Sequence, residues 1–257
     1  MPGFEHATVD VVNAILTQGA KFFEDVVAPT NSIADVEGAA LIEHGVRAAP
    51  IFQRVYRRMV DEGWYCLNGD VDFGGAGLPS VVDLANQEML QSSNMSLSLL
   101  PMLSRGVIHA LNLFGSEAQK NKYLGKLITG HWTGAMNLTE PQAGSDLSLI
   151  QTKARQCGDH YLISGQKVYI TWGDHDLSEN VIHLVLARLP GSPAGNGGIS
   201  LFLIPKFLVD NDGNIGLRND VFAIGLEKKL GINASPTCTM SFGGTDGAVG
   251  YLVGKEN

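Results

Sequence analysis

Residues 116–130 of the chain read SEAQKNKYLGKLITG and mark the point where its sequence pattern changes. Ser116 and Gln119 have the spacing of a capping box, which begins a helix, and Gly130 is a typical residue for ending one. Before this segment the apolar residues recur at helical spacing, and after it they alternate. The change predicts a helical domain over residues 1–130 and a β-rich domain over residues 131–257.

Upstream of residue 116 the apolar spacing predicts four helical stretches, each with recognisable start or stop signals. They run from a Thr8 cap to Pro29, from Pro50 to Gly63, from a Ser80–Asp83 capping box towards Leu90, and over residues 97–114 as a buried helix pair around Pro101.

Downstream of Gly130 the sequence consists of short β-rich runs separated by Gly, Asn, Asp and Pro. Such runs without intervening helices predict a small antiparallel barrel or sandwich, so the fold class is α+β. The runs lie at residues 161–163, 168–171, 181–189, 199–204 and 238–242.

Composition narrows the class of protein further. The 257 residues are 44% hydrophobic and 17% charged, with a net charge of −8 and no crowded basic face, which argues against a nucleic-acid partner. The three cysteines have neither disulfide nor zinc spacing, which indicates reduced thiols and a cytoplasmic location. No uninterrupted apolar run reaches membrane-spanning length, and no signal-peptide pattern opens the chain, so we expect no membrane span.

Most familiar catalytic motifs are absent from the sequence. It has no phosphate-binding Gly-x-x-x-x-Gly-Lys loop, no Gly-x-Gly-x-x-Gly turn, no His-Glu-x-x-His and no Gly-x-Ser-x-Gly. Asp174, His175 and Asp176, with His183, are the one candidate metal cluster. Three adjacent residues on an extended chain point in different directions, so we expect no metal site.

Two motifs in the β-rich part carry a resemblance to a known family. Residues 136–146 read MNLTEPQAGSD, and residues 165–171 read GQKVYIT. Together with FGGAGLP at 73–79 and FGSE at 114–117, in this order, they resemble the acyl-CoA dehydrogenase family. Residues 231–238 and 250–257 resemble its longer-chain branch, which includes methylthiopropanoyl-CoA dehydrogenases. The resemblance implies a helical N-terminal domain, a middle β-barrel and bound FAD.

The resemblance also implies roles for individual residues. Leu138 would offer its backbone N–H, and Thr139 its hydroxyl, to the pyrimidine edge of the flavin ring. Thr171 would contact the N5 side, and Tyr169 would stack beside the ring where many members have Trp, which trims the apolar area. Ser145 would contact the CoA portion of the substrate.

Each of these residues also has a structural interpretation. Thr and Tyr are ordinary strand residues, so Thr171 and Tyr169 alone would be assigned to a sheet. Ser145 is an ordinary turn residue. Leu99, Met102 and Leu103 could line an acyl tunnel between helices, although core packing is the simpler interpretation for each.

The resemblance implies a reaction and its partners. Family members oxidise an acyl-CoA thioester between its α and β carbons, transfer a hydride to FAD, and pass electrons to an electron-transfer flavoprotein. The glutamate base usually comes from a C-terminal bundle. The chain ends at residues 254–257, near the boundary between the middle domain and that bundle. We therefore expect no catalytic residue in this chain and weak or no activity from it alone.

Other functions stay open at this point. The chain could be a non-catalytic subunit or assembly module that completes a partner dehydrogenase chain, or part of an acyl-CoA oxidase, which passes electrons to oxygen. Apolar faces left uncovered would favour a homo- or hetero-oligomer.

Overall fold

The computed structural model describes residues 3–257 and places helices before strands. The α-helices are α1 (Val9–Phe22), α2 (Asn31–Glu37), α3 (Ile51–Asp61), α4 (Ser80–Ser93), α5 (Met95–Phe114) and α6 (Glu117–Thr129). A small hairpin, β1 (Ala40–Ile42) with β2 (Gly45–Arg47), lies between α2 and α3. The helical character of the first half confirms the predicted fold class.

The strands after α6 build a curled, mostly antiparallel sheet. In chain order they are β3 (Trp132–Asn137), β4 (Lys153–Cys157), β5 (His160–Thr171), β6 (Asn180–Ala187), β7 (Ser200–Pro205), β8 (Phe207–Val209), β9 (Ile215–Arg218), β10 (Val221–Leu226), β11 (Thr237–Phe242) and β12 (Ala248–Val253). The main sheet has the order β10-β11-β5-β12-β7-β6-β3, β4 pairs with β5, and β8 pairs with β9 separately.

The curl of the sheet brings β3 back towards β5. Strand β12 pairs with β5 through its first half and with β7 through its second. Beyond the end of β3, the Val168 N–H donates to the Thr139 carbonyl at 3.0 Å. Strands β3 and β6 pair in parallel, which departs from a purely antiparallel barrel. The long connection between them, which contains β4 and β5, makes a parallel pairing possible.

Several predicted helix starts and ends were confirmed. Ser116 and Gln119 form both hydrogen bonds of a capping box, and Gly130 ends α6 with a left-handed backbone. The Thr8 hydroxyl accepts a hydrogen bond from the Val11 N–H at the start of α1. Helix α3 follows Pro50 as predicted.

Three details of the helix predictions were wrong. Pro29 does not stop the first helix, because α1 ends at Phe22 and the chain continues through a π-helical segment over residues 23–27 and a 3₁₀ turn over residues 28–30 into α2. Residues 95–114 form one helix with Pro101 inside it rather than a pair, since its buried side chains pack along the whole length. Helix α4 begins at Ser80 and runs past Leu90 as predicted, but Ser80 is its first helical residue and makes no cap. The buried Asp83 carboxylate pairs with Arg105 at 3.0 Å instead.

Helix α5 bears on the expectation that no apolar run reaches membrane-spanning length. Its length and mean hydropathy would allow it to cross a membrane, because a window average tolerates the polar residues that interrupt the apolar run. Within the protein, 44% of that window is buried. The core residues Leu97, Leu100, Val107 and Leu111 belong to the same apolar cluster as residues of α3, α6 and β3. Helix α5 therefore packs as a core helix of the fold.

Two strand predictions merge into one element, and several strands were not predicted. Residues 161–163 and 168–171 belong to the single strand β5. The run at residues 181–189 corresponds to β6, whereas β3 was not predicted: it is buried along almost its whole length, so its residues do not alternate between apolar and polar.

Candidate functional site

The predicted site residues come from two neighbouring segments. Leu138 and Thr139 follow the end of β3, and residues 169–171 form the end of β5. The Lys167 ammonium donates to the Leu138 carbonyl at 2.9 Å. Together with the bond from Val168 to Thr139, this contact holds the first segment against β5. The structure thus places Leu138 and Thr139 beside the strand that carries Tyr169 and Thr171.

Several hydrogen-bonding groups of these two segments are free. Among residues 3–257, the N–H groups of Leu138 and Thr139 find no acceptor. The hydroxyls of Thr139 and Thr171 likewise make no hydrogen bond, whereas the nearby Thr152 and Thr237 hydroxyls do. The side chains of Leu138, Thr139 and Thr171 are all partly exposed. These groups could therefore bind a ligand that lies across the two segments.

Tyr169 occupies an unusual backbone conformation. Its φ is 61°, in the left-handed region that costs a bulky residue about 1–2 kcal/mol. It lies in a β-bulge, where Val168 and Tyr169 oppose the single residue Thr239 of β11. The bulge turns the Tyr169 side chain outwards, and 63% of the residue is exposed. Little within the described chain accounts for an aromatic residue at this strained, solvent-facing position, which suits a stacking surface.

Trp172, directly after this strand, connects the site to the helical part. It also has a positive φ, of 51°, but it is fully buried. Its indole N–H donates to the Ser96 carbonyl of α5 at 3.0 Å. The end of β5 is therefore fixed against the start of α5. Leu99 packs against the helical core, as the simpler interpretation predicted, while Met102 is 41% exposed.

A buried ion pair below the two segments was missed by the sequence analysis. Lys167 is 0% exposed, and its ammonium lies 2.8 Å from the Glu140 carboxylate. That carboxylate also accepts hydrogen bonds from the Thr152 hydroxyl at 2.6 Å, the Gln151 N–H at 2.7 Å and the Gln142 amide at 2.6 Å. The available signal was a lysine inside the β-rich motif GQKVYIT, with a glutamate in the neighbouring motif.

The pKa values of Glu140 and Lys167 are shifted by burial and by their hydrogen-bond partners. Burial by itself would raise the pKa of the Glu140 carboxyl, but the hydrogen bonds from Lys167, Thr152 and the Gln151 N–H outweigh it and hold that pKa below its ordinary value of 4.5. Burial lowers the pKa of the Lys167 ammonium, and the Glu140 carboxylate opposes that shift. Glu140 is therefore ionised at neutral pH, and both of its oxygens are occupied.

Glu140 should make the stability of the protein depend on acid pH. Because the folded pKa lies below the unfolded one, its contribution is complete above about pH 5 and is lost as the pH falls through the folded pKa. We expect Glu140→Gln to lower the free energy of unfolding at pH 7, and the difference from wild type to shrink below about pH 4.5. Urea unfolding at a series of pH values measures this, and a difference that does not change with pH would contradict it.

Ser145 lies in a separate loop, between Glu140 and Ile150. It is exposed and makes no hydrogen bond within residues 3–257, so no hydrogen bond joins its side chain to the other predicted site residues. The loop itself is well anchored, because the Arg188 guanidinium donates to the Ser148 carbonyl at 2.6 Å and to the Ile150 carbonyl at 2.8 Å. Ser145 therefore stands on a fixed loop that starts at the buried Glu140.

The Asp174–His175–Asp176 segment serves other contacts. Asp174 pairs with Lys206 at 2.6 Å, and the His175 ring meets the Thr133 hydroxyl at 2.9 Å. Burial, with the nearby Lys206 charge, lowers the pKa of His175 well below its ordinary range, and that of His183 to about 3. Within residues 3–257 no group of three His, Cys, Asp or Glu residues is arranged to hold a metal ion.

The residues at the two segments fit a flavin ring. Such a ring needs donors along its pyrimidine edge, a donor near N5 and a flat wall. Leu138 and Thr139 supply free donors on one segment, and Thr171 supplies a free hydroxyl on the other. The exposed Tyr169 ring is available as the wall.

Comparisons with known proteins cover nearly the whole chain. A family profile for "Acyl-CoA dehydrogenase, N-terminal domain" matches residues 13–131, and one for "Acyl-CoA dehydrogenase, middle domain" matches residues 135–245. The chain is 47% identical to a 3-methylmercaptopropionyl-CoA dehydrogenase of Ruegeria pomeroyi, over 99% of this chain and 43% of that protein. It spans about two fifths of the length of the curated relatives that it matches.

Solved structures agree with the fold. An acyl-CoA dehydrogenase of Geobacillus kaustophilus superposes with a TM-score of 0.77 at 25% identity, over 97% of this chain and 60% of the other. An acyl-CoA dehydrogenase of Bacillus anthracis, solved in complex with FAD, superposes with a TM-score of 0.76 at 24% identity, over 98% of this chain and 38% of the other.

Proposed function

Because the chain belongs to the acyl-CoA dehydrogenase family and carries its N-terminal and middle domains, we propose that residues 138–139 and 169–171 bind the flavin ring of FAD. We propose further that the whole protein removes hydrogen from the α and β carbons of an acyl-CoA thioester. When bound, FAD supplies the acceptor for the hydride that leaves the β carbon. The chain's own residues supply the binding surface for that chemistry.

Each residue has a defined part in this surface. The Leu138 N–H and the Thr139 hydroxyl donate to the pyrimidine edge of the ring, where negative charge collects on reduction. The Thr171 hydroxyl contacts the N5 side, and the Tyr169 ring stacks against the flavin. Ser145, on its anchored loop, contacts the CoA portion of the substrate. The observation that supports the proposal most strongly is the set of free donors on two adjacent segments beside an exposed aromatic ring.

The proton-abstracting base lies outside this surface. Glu140 is the carboxylate next to it, but five donor groups, the Thr152 N–H among them, occupy its oxygens and its pKa is depressed, so it cannot serve as the base. Glu256 accepts a hydrogen bond from the Tyr161 hydroxyl at 3.1 Å. Tyr161 is ten residues before Thr171 on an extended strand, which is roughly 30 Å. We therefore propose that residues 3–257 alone give weak or no turnover.

Absorption spectroscopy and a turnover assay together test this function. Titrating the purified chain with FAD should shift the flavin absorption bands saturably, because a stacked and hydrogen-bonded ring differs from a ring in water. Adding acyl-CoA thioesters and a dye acceptor should then give little turnover. A flavin spectrum unchanged by the protein would contradict the binding site, and turnover at ordinary enzyme rates would contradict the location of the base.

A substitution at Tyr169 separates stacking from folding. Tyr169→Gly removes the ring and also relieves the left-handed backbone, since glycine adopts φ 61° freely. We expect the free energy of unfolding to stay level or rise by up to about 1 kcal/mol, while FAD affinity falls roughly tenfold, in keeping with an aromatic stacking contribution of about 1 kcal/mol. Tyr169→Trp is the control, and it should keep or raise the affinity. Equal affinities for all three proteins would remove Tyr169 from the site.

The partners proposed for the whole protein follow from the family and from exposed apolar residues. We propose an electron-transfer flavoprotein as the electron acceptor, a cytoplasmic location and an oligomeric assembly. Leu113 and Phe114, at the end of α5, are 59% and 61% exposed, which favours coverage by further protein. The same exposure supports the alternative that the chain completes a partner dehydrogenase chain. Co-purification with a separate chain that supplies a glutamate base would favour that alternative.

A further inference from the structure

The proposed flavin surface, formed by residues 138–139 and 169–171, contains a hydrogen-bond donor that lies on the same peptide as a carbonyl bound by a buried charge. We infer that Lys167 is a positioning residue for this surface, because its buried ammonium polarises the Leu138–Thr139 peptide and makes the Thr139 N–H a stronger hydrogen-bond donor. The inference rests on the proposed function and adds the Thr139 N–H to the donors assigned there, since it takes the ligand of that N–H to be the pyrimidine edge of the flavin.

The first step of the argument is the contact of the ammonium with the peptide. Lys167 is 0% exposed, and its Nζ donates to the Leu138 carbonyl at 2.9 Å and to the Glu140 carboxylate at 2.8 Å. A hydrogen bond from a charged donor is stronger than one between neutral groups, and low local polarity increases its effect. The Glu140 carboxylate fixes the ammonium in place, so the charge remains on one side of the peptide.

The second step is the direction of the Thr139 N–H. All peptide bonds among residues 3–257 are trans, so the carbonyl of Leu138 and the N–H of Thr139 point in opposite directions. The N–H therefore points away from Lys167, and it has no acceptor within the described chain. The next carbonyl, that of Thr139, is held by the Val168 N–H at 3.0 Å, which fixes the orientation of the segment.

The third step links the two ends of the peptide. Hydrogen bonds in a chain strengthen one another, so an ammonium on the carbonyl oxygen increases the donor strength of the N–H on the same peptide. Reduction of the flavin increases negative charge at the pyrimidine edge, and a stronger donor there favours the reduced form over the oxidised form. Lys167 therefore raises the midpoint potential of the bound flavin without touching it.

The test compares oxidised with reduced FAD on the whole chain. In Lys167→Met/Glu140→Gln the charge is gone but no carboxylate is left unpaired. We expect the dissociation constant for oxidised FAD, divided by that for reduced FAD, to be roughly tenfold smaller than in the wild type. This change corresponds to a midpoint potential about 30 mV lower for a two-electron couple. Thr152→Val is the matched control, because it removes a Glu140 partner and leaves Lys167 on the Leu138 carbonyl. It should lower the free energy of unfolding and leave the ratio unchanged.

The outcomes separate this inference from the proposed function. If the double variant binds FAD with the wild-type ratio of dissociation constants, the inference is overturned but the proposed flavin site is not. Equal changes of this ratio in the double variant and in Thr152→Val would have the same meaning. No FAD binding by the wild type would overturn the proposed function and this inference with it. If the double variant does not fold, Lys167→Gln/Glu140→Gln, which keeps a neutral donor, should show a smaller change of the same sign.

Discussion

Replacing Lys167 by methionine is expected to destabilise the fold more than any other single substitution considered, by about 3–5 kcal/mol. The substitution leaves the Glu140 carboxylate buried at 4% exposure without its counter-charge. It also removes the donor to the Leu138 carbonyl, which attaches the segment after β3 to β5. Urea unfolding followed by circular dichroism measures the loss, and a cost under about 1 kcal/mol would contradict the importance of the pair.

The double variant Lys167→Met/Glu140→Gln is the control for that prediction. Without the carboxylate no buried charge is left unpaired, so we expect it to be clearly more stable than the single Lys167→Met variant. Thr152 and Gln151 can still bond the oxygen of a glutamine side chain at this position. Equal stability of the single and double variants would contradict the expectation that the Glu140 carboxylate is costly once its counter-charge is removed.

The second large effect concerns affinity for FAD. We expect Thr139→Val/Thr171→Val to bind FAD roughly thirtyfold more weakly than wild type, because each hydroxyl contributes about 1 kcal/mol. Valine has nearly the shape of threonine, and neither hydroxyl bonds to the described protein, so the fold should be unaffected. Flavin fluorescence titration measures the affinity, and Thr237→Val, which alters a bonded hydroxyl of the neighbouring strand β11, is the control. Unchanged affinity in the double variant would remove both hydroxyls from the site.

The sequence predicted the local features that depend on residues close together along the chain. The Ser116 capping box, the Thr8 cap and the left-handed Gly130 involve partners within a few residues, and all three are present. The helical first half and the β-rich second half were predicted from the period of the apolar residues, which differs between helices and strands. The order of the MNLTEPQAGSD and GQKVYIT motifs indicated the family that the profiles match.

The remaining features depend on partners distant in sequence. Asp83 has the spacing of a capping residue, but its carboxylate forms an ion pair with Arg105 instead. Glu140 and Lys167 are 27 residues apart, and only the pairing of the segment after β3 with β5 brings them together. Pro101 normally interrupts a helix, yet packing along α5 keeps it continuous. Such contacts arise from the tertiary fold, so neither propensity nor spacing could indicate them.

The most direct measurement of the central claim is a titration of the isotope-labelled chain with FAD, followed through backbone amide chemical shifts in NMR spectra. We predict that the amide signals of Leu138, Thr139, Tyr169 and Thr171 move together and saturably, because the ring contacts both segments at once. Signals outside the two segments, such as those of the separate β8–β9 hairpin, should stay in place. Saturable movement of other amides while these four remain fixed would contradict the account.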